Sequence, residues 1–154
     1  MSTIKSAARR TTRSYSKRVY VQQSSIGLGV FAAVRFQRYA TVGRVTGRVI
    51  RDPTYESSYC IDLGESSVLE PNEPWRYLNH SCHPNCELVT WEDEPEGRMW
   101  LTARRKIEPG EELTIDYAWP AEAAIPCACG SPRCRGWVVD RRELVYLERN
   151  RRKK

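Results

Sequence analysis

Three cysteines within eight residues, Cys127, Cys129 and Cys134 of "CACGSPRC", constrain this chain more than any other feature. Thiolates that close together, set among Gly and Pro turn residues, suit a zinc ion, which takes four ligands in a tetrahedron. No Cys or His follows residue 134. A fourth ligand must therefore come from far upstream: Cys60, Cys82, Cys86, His80 or His83. The fold then has to carry its C-terminal loop back onto its middle, and a metal there completes a structure rather than starting one. A disulfide reading competes. However, cysteines one residue apart do not readily pair within a strand, and the first twenty residues lack the apolar h-region of an export signal.

A chain of 154 residues fits one domain with a sizeable core, and 40% apolar content excludes wholesale disorder. No apolar run approaches the roughly 20 residues that span a bilayer, so no membrane partner is expected. An intracellular location is expected, either cytoplasmic or nuclear at chromatin. The net charge of +6 lies at the ends. Residues 1–18 carry six Lys/Arg and no acid, and residues 148–154 carry five Lys/Arg and one Glu. Between them, residues 19–147 hold 14 basic and 18 acidic groups, a net charge of −4. Basic ends of this kind either contact a polyanion or nucleic acid or are simply solvated termini. The mildly acidic body suits a basic peptide better than DNA.

Strand-like segments separated by Gly/Pro turns fill the body: "RVYVQQS", "IGLGVFAA", "TVGRVTGRVI", "SSYCIDLG", "ELVTW", "RMWLTARRKI" and, after the turn "EPG", "EELTIDYAW". Only "DRRELVYLERNRR" predicts a helix, with Leu144 and Leu147 on one face. The pattern is mostly β. Gly27-Leu28-Gly29 is no dinucleotide fingerprint, because Phe31-Ala32-Ala33 stands where the third glycine would be. Those glycines serve either a tight turn or a close backbone approach to a ligand.

"RYLNHSCHPNC", residues 76–86, holds both histidines of the chain. Asn79 and His80 offer more hydrogen-bonding capacity than packing requires, although an ordinary polar turn would also use them. Hydrolase chemistry is unsupported, since Ser81 lacks a G-x-S-x-G elbow. Tyr59, Tyr77 and Tyr117, with Trp75 and Trp119, supply rings for a narrow channel that would take an aliphatic stem with an amine at its end. For Tyr77 alone, core packing is the simpler reading.

Taken together, "GLGVFA", "RYLNHSCHPNC", "EPGEELTIDYAW" and "CACGSPRC" resemble the SET-domain protein lysine methyltransferases with a cysteine-rich post-SET segment, from about residue 18 to about 138. The resemblance implies a mostly β, β-clip-like SET fold: small curled sheets, a C-terminal pseudoknot, a zinc-bound post-SET loop and a short terminal helix. It implies a basic mobile tail over 1–18, the catalytic domain over 19–120, the zinc segment over 121–138, and a helix and basic tail over 139–154. It further implies transfer of methyl from S-adenosylmethionine to a Lys side chain of a protein or peptide, histone among the candidates, leaving S-adenosylhomocysteine.

On the same resemblance, Gly27, Leu28, Gly29, Arg76, Tyr77, Asn79, His80 and Tyr117 are cofactor residues. Tyr117 and Tyr59 are catalytic, and Tyr59, Ile61, Ile115 and Trp119 line the lysine channel. Cys82 joins Cys127, Cys129 and Cys134 around Zn2+, with Cys86 the second choice. Ile115 and Ile61 stand where family members commonly carry aromatic residues, and no long pre-SET domain is expected. A non-catalytic, zinc-stabilised module that binds peptide or nucleic acid is the competing function; a pure scaffold leaves the polar groups unexplained.

Overall fold

A hairpin organises the first sheet. In the computed structural model, which describes residues 13–91 and 93–151, β1 (Arg13–Ser14) pairs with β2 (Val19–Ser24), and β2 pairs with β3 (Gly27–Ala32). The hairpin turns at Ser25-Ile26, and Gly27 takes φ +122°, a conformation that L side chains rarely adopt. Alternation places Val19, Val21 and Val30 in the core.

The expected single strand over "TVGRVTGRVI" is instead two strands in different sheets. β4 (Thr41–Val45) and β5 (Gly47–Ile50) part at Thr46, whose carbonyl accepts from the Asn72 N–H at 2.8 Å. Gly47 permits the departure: a Cβ there would lie 2.3 Å from the Glu70 carbonyl oxygen. β5 joins β6 (Ile61–Gly64) and β7 (Ser67–Pro71) in the order β5-β7-β6. A 3-10 turn over Trp75–Tyr77 leads to β8 (Asn79–His80). Next come β9 (Cys86–Val89), β10 (Met99–Ala103) and β11 (Glu112–Ile115). The second sheet runs β4-β10-β9; in the first, β11 lies between antiparallel β3 and parallel β8.

β11 thereby brings residues 112–117 against residues 79–80, which are far away in sequence. Asn85 fixes this contact, its Nδ2 donating to the Glu112 carbonyl at 2.8 Å and its Oδ1 accepting from the Thr114 N–H at 2.9 Å. The core between the sheets is apolar: Val30, Leu69, Leu101, Ile107 and Leu113 are fully buried, each contributing about 1.5–3 kcal/mol.

Past the sheets, β12 (Ile125–Pro126) pairs with β13 (Trp137–Val138), and the chain ends in α1 (Leu144–Arg151). The helix is shorter than the predicted segment, yet Leu144 and Leu147 are both half-buried, as their spacing requires. The basic segment expected to be mobile over 1–18 is held from residue 13 onward. Arg13 and Ser14 extend the first sheet, and Tyr15 packs on the core with its hydroxyl donating to Glu73. Residues 1–12 and 152–154 lie outside the described residues.

Candidate active site and thiol cluster

Four thiols converge where two distant segments meet. The Sγ atoms of Cys82, Cys127, Cys129 and Cys134 all lie within 4.8 Å of one another. The Cys127 N–H donates to the Gly136 carbonyl at 3.0 Å, folding the loop so that its three cysteines face one point. Of the other candidate ligands, Cys86 is fully buried among apolar side chains, and burial pushes its thiol up to about 12. His83 is exposed, and Cys60 donates its thiol to the Ser57 carbonyl at 3.2 Å. Among the four, burial raises Cys82. Cys129 settles at about 7 because amide donors from Cys82 and Ser131, with the neighbouring thiols, outweigh its burial. Soft thiolates in a compact group of four suit zinc.

His80 stands between this cluster and Tyr117. Its buried ring accepts the Tyr117 N–H at Nδ1, 3.1 Å away, so the proton resides on Nε2, which faces Cys82 Sγ at 3.4 Å. Burial lowers its pKa, so the Asp116 carboxylate 3.6 Å from Nδ1 sees a neutral ring, not an imidazolium. Both ring nitrogens are thus engaged within the protein. Any cofactor contact by His80 falls to its backbone.

Tyr117 donates its hydroxyl to the Leu78 carbonyl at 2.7 Å, and burial, then the charge of Glu112, pushes its pKa up to about 12. With its proton committed, the phenol oxygen can only accept. Its ring lies 5.4 Å from both His80 and Trp119. A cavity of about 320 Å³ opens against it, lined by all four expected channel residues, Tyr59, Ile61, Ile115 and Trp119, and also by Arg76. Ile115 is buried and Tyr59 half-exposed at the rim.

The remaining expected cofactor residues fall into two groups, of which only Arg76 also lines that cavity. Asn79 Nδ2 faces Glu112 Oε1 at 2.7 Å, the Leu28 carbonyl at 3.0 Å and Ser24 Oγ at 3.3 Å. Gly29 lies against the same atoms: a Cβ would meet Glu112 Oε1 at 2.4 Å and Asn79 Nδ2 at 3.2 Å. The glycines therefore serve both a turn, at Gly27, and a close approach, at Gly29. Tyr77 packs on the core and donates to Glu73 at 2.7 Å, and its ring meets Tyr59 edge-on at 6.4 Å. Arg76 lies over the Tyr59 ring at 4.4 Å, and its buried Nε has no partner among the described residues.

Sequence reasoning missed one contributor. Arg135, its side chain 7% exposed, makes a bidentate pair with Asp116 at 2.8 Å and donates to the Val139 carbonyl at 2.9 Å. This pair fastens the cysteine loop to the residue before Tyr117. Its only sequence signal was an Arg directly following Cys134.

Residues 27–118 match the family model of the SET domain. The Drosophila melanogaster protein named histone-lysine N-methyltransferase trr is 38% identical over 138 residues, which is 78% of this chain and 6% of that protein. Human histone-lysine N-methyltransferase 2D is 34% identical over 150 residues, 84% of this chain and 3% of its own length. The Arabidopsis thaliana histone-lysine N-methyltransferase ASHR3 is 30% identical over 154 residues, 90% of this chain and 31% of its own length. This chain thus spans a minor part of these relatives. A crystal structure of a candidate histone methyltransferase from Plasmodium falciparum shares the fold with TM-score 0.54 at 23% identity, covering 65% of this chain and 92% of that one.

Proposed function

Because this chain belongs to the SET-domain family, we propose that it is an S-adenosylmethionine-dependent protein lysine N-methyltransferase acting on a Lys-containing protein, histone being the first candidate. The observation that carries this reading is the cavity where Tyr59, Ile61, Ile115 and Trp119 surround Tyr117, whose hydroxyl proton is already committed. We read the passage of residues 112–117 beside residues 79–86 as the family's pseudoknot. Cys82, Cys127, Cys129 and Cys134 are the zinc ligands in this reading. A nuclear or chromatin location goes with the histone reading.

The residues present fit the cofactor. Arg76 Nε is a buried donor without a partner among the described residues, suited to an acceptor such as a carboxylate. The absent Cβ at Gly29 makes room for the Glu112 carboxylate and the Asn79 amide, which lie against that backbone. Gly27, Leu28, Gly29, Arg76, Tyr77 and Asn79, with the backbone of His80 and the ring of Tyr117, would hold it. When bound, S-adenosylmethionine supplies an electrophilic methyl on a positively charged sulfur.

The chain's own contribution is alignment and desolvation. An apolar channel disfavours ammonium, so a lysine entering past Tyr59 and Trp119 loses its proton more readily than in water. Holding the amine in line with the methyl is the main source of rate in such a site. Tyr117 Oη, an acceptor only, orients the amine through one N–H and favours positive charge as it develops. Neither Tyr117 nor His80 is placed to act as a base, and water takes the proton.

Purified protein with methyl-labelled S-adenosylmethionine and a panel of Lys-containing proteins, read by intact mass, tests the reading. Methylated lysine is the expected result. Cofactor binding with no transfer to any protein would overturn it in favour of a binding module.

A further inference from the structure

Positive charge is not spread evenly over the body of this chain. Residues 33–40 and 102–108 together carry five Lys/Arg and one Glu, which leaves nine basic and 17 acidic groups for the rest of residues 19–147. Those two segments lie side by side. Phe36 and Ile107 exchange backbone hydrogen bonds at 2.9 Å in both directions. The Tyr39 N–H donates to the Ala103 carbonyl at 2.7 Å, and the Ala103 N–H to the Ala40 carbonyl at 2.9 Å. Phe36 and Ile107 are buried, so the frame is anchored in the core, and Arg35, Arg38, Arg104, Arg105 and Lys106 are all exposed on it. A basic face thus stands on an otherwise acidic body.

The carboxylates beside it leave that face positive. Glu108 is shared by Arg35 at 2.8 Å and Lys106 at 2.7 Å, and Glu111 takes Arg105 at 3.0 Å. Arg38 and Arg104 have no carboxylate partner among the described residues.

Tyr39 sets the face apart from an ordinary solvated surface. It holds the third position of the turn Gln37–Ala40, closed by the Ala40 N–H on the Gln37 carbonyl at 3.1 Å, and its φ is +68°. Gly or Asn ordinarily fills such a position, because a bulky side chain is strained there. No burial offsets the strain. Tyr39 is 68% exposed, with the Arg38 guanidinium 4.6 Å from its ring centroid.

We propose that this face binds single-stranded nucleic acid, with one base stacked on Tyr39 and the phosphates held by the surrounding guanidinium and ammonium groups. Binding a strand of any sequence takes a row of cations to follow its backbone and an exposed ring for a base. Guanidinium suits phosphate because its planar fork reaches two oxygens at once. A duplex would satisfy the cations, but its bases are stacked on one another and offer Tyr39 no free face. An acidic peptide would satisfy the cations and leave the ring unused. None of these six residues lines the cavity beside Tyr117, so the inference stands apart from the methyltransferase reading.

The test titrates the full chain into a fluorescein-labelled thymidine strand of about 12 nucleotides, beside a duplex of that length and polyglutamate, over a salt series. Anisotropy should show the strand bound more tightly than either. Tyr39→Gly should weaken strand binding about 5- to 100-fold, the equivalent of one lost base stack. Glycine suits the turn, so urea denaturation should find this variant at least as stable as the parent, which separates lost stacking from lost fold. Replacing Arg38 and Arg104 by Gln should lower the slope of log affinity against log salt by about 0.7 per cation removed. Strands carrying bromodeoxyuridine should photocrosslink to the peptide that contains Tyr39. Affinity unchanged in these variants would assign the binding to the basic ends and overturn the proposal. Duplex or polyglutamate bound as tightly as the strand, or no binding at low salt, would overturn it as well.

Discussion

The backbone N–H of Tyr117 and the ring of buried His80 are joined at 3.1 Å, and the opposite nitrogen of that ring lies 3.4 Å from Cys82 Sγ. One imidazole thus spans the distance between the thiol cluster and the Tyr117 ring on the cavity wall. Disturbance at either end should be felt at the other.

Removing the Tyr117 hydroxyl isolates its role. Tyr117→Phe keeps the ring against Trp119 and His80 and frees the Leu78 carbonyl, costing about 1 kcal/mol of stability. Single-turnover transfer should fall on the order of 10- to 100-fold while calorimetric cofactor affinity changes less than about threefold. An unchanged rate at saturation removes Tyr117 from the chemistry.

The metal should fasten a segment rather than the body. One zinc per chain is expected by elemental analysis. Cys134→Ser should raise hydrogen exchange over residues 125–138 while the strands around Leu69, Leu101 and Leu113 stay protected. Metal-free protein that retained full activity would contradict this.

Breaking the Asp116–Arg135 pair should be costly at Arg135. Arg135→Leu leaves Asp116 without its guanidinium, and since that carboxylate keeps 29% exposure the loss should sit near about 3 kcal/mol. Urea denaturation measures this. The double variant Asp116→Asn, Arg135→Leu should recover part of the loss, because no buried charge is then left alone.

Alkaline pH should loosen the fold through two buried groups whose windows overlap. Burial raises Cys86 from an ordinary value near 9 to about 12, and Tyr117 from near 10 to about 12. A raised folded-state value means stability fully present below the unfolded pKa and lost as pH rises through the folded one. The windows are therefore 9 to 12 for Cys86 and 10 to 12 for Tyr117. At about 1.4 kcal/mol per unit, Tyr117 accounts for at most roughly 2–3 kcal/mol. Urea midpoints at pH 8 and pH 11 should differ less in Tyr117→Phe and in Cys86→Val than in the parent.

Ile115 should set the product. It is buried in the cavity wall two residues before Tyr117 and can offer no hydrogen bond to a methylated amine. A monomethylated lysine then has room to turn and present its lone pair again, so dimethyllysine should accumulate. Ile115→Tyr should shift the product toward monomethyllysine, as followed by mass spectrometry over time. Monomethyllysine alone from the parent, with excess cofactor, would contradict this.

Strands were legible wherever one face is buried, as in Val19–Val21 and Met99–Leu101, since alternation is written directly in such sequences. The break at Thr46 was not legible, because its cause, a backbone passing Gly47, belongs to a distant strand. Spacing alone left five candidates for the fourth ligand, and the choice of Cys82 came from the family resemblance. Tyr59 and Trp119, which line the cavity, were legible in the same way, as ring types in familiar motifs. The Asp116–Arg135 pair was invisible because ion pairs between loops leave no periodic mark.

The thiol cluster also has a consequence in time. Cys82 meets Cys127 and Cys134 across 45 and 52 residues of chain. A ribosome therefore completes Asn79, His80 and Tyr117 before Cys134 exists, and no nascent chain shorter than that residue has all four thiols. The loop that carries three of those thiols is therefore fixed to residue 82 only after Cys134 has been made.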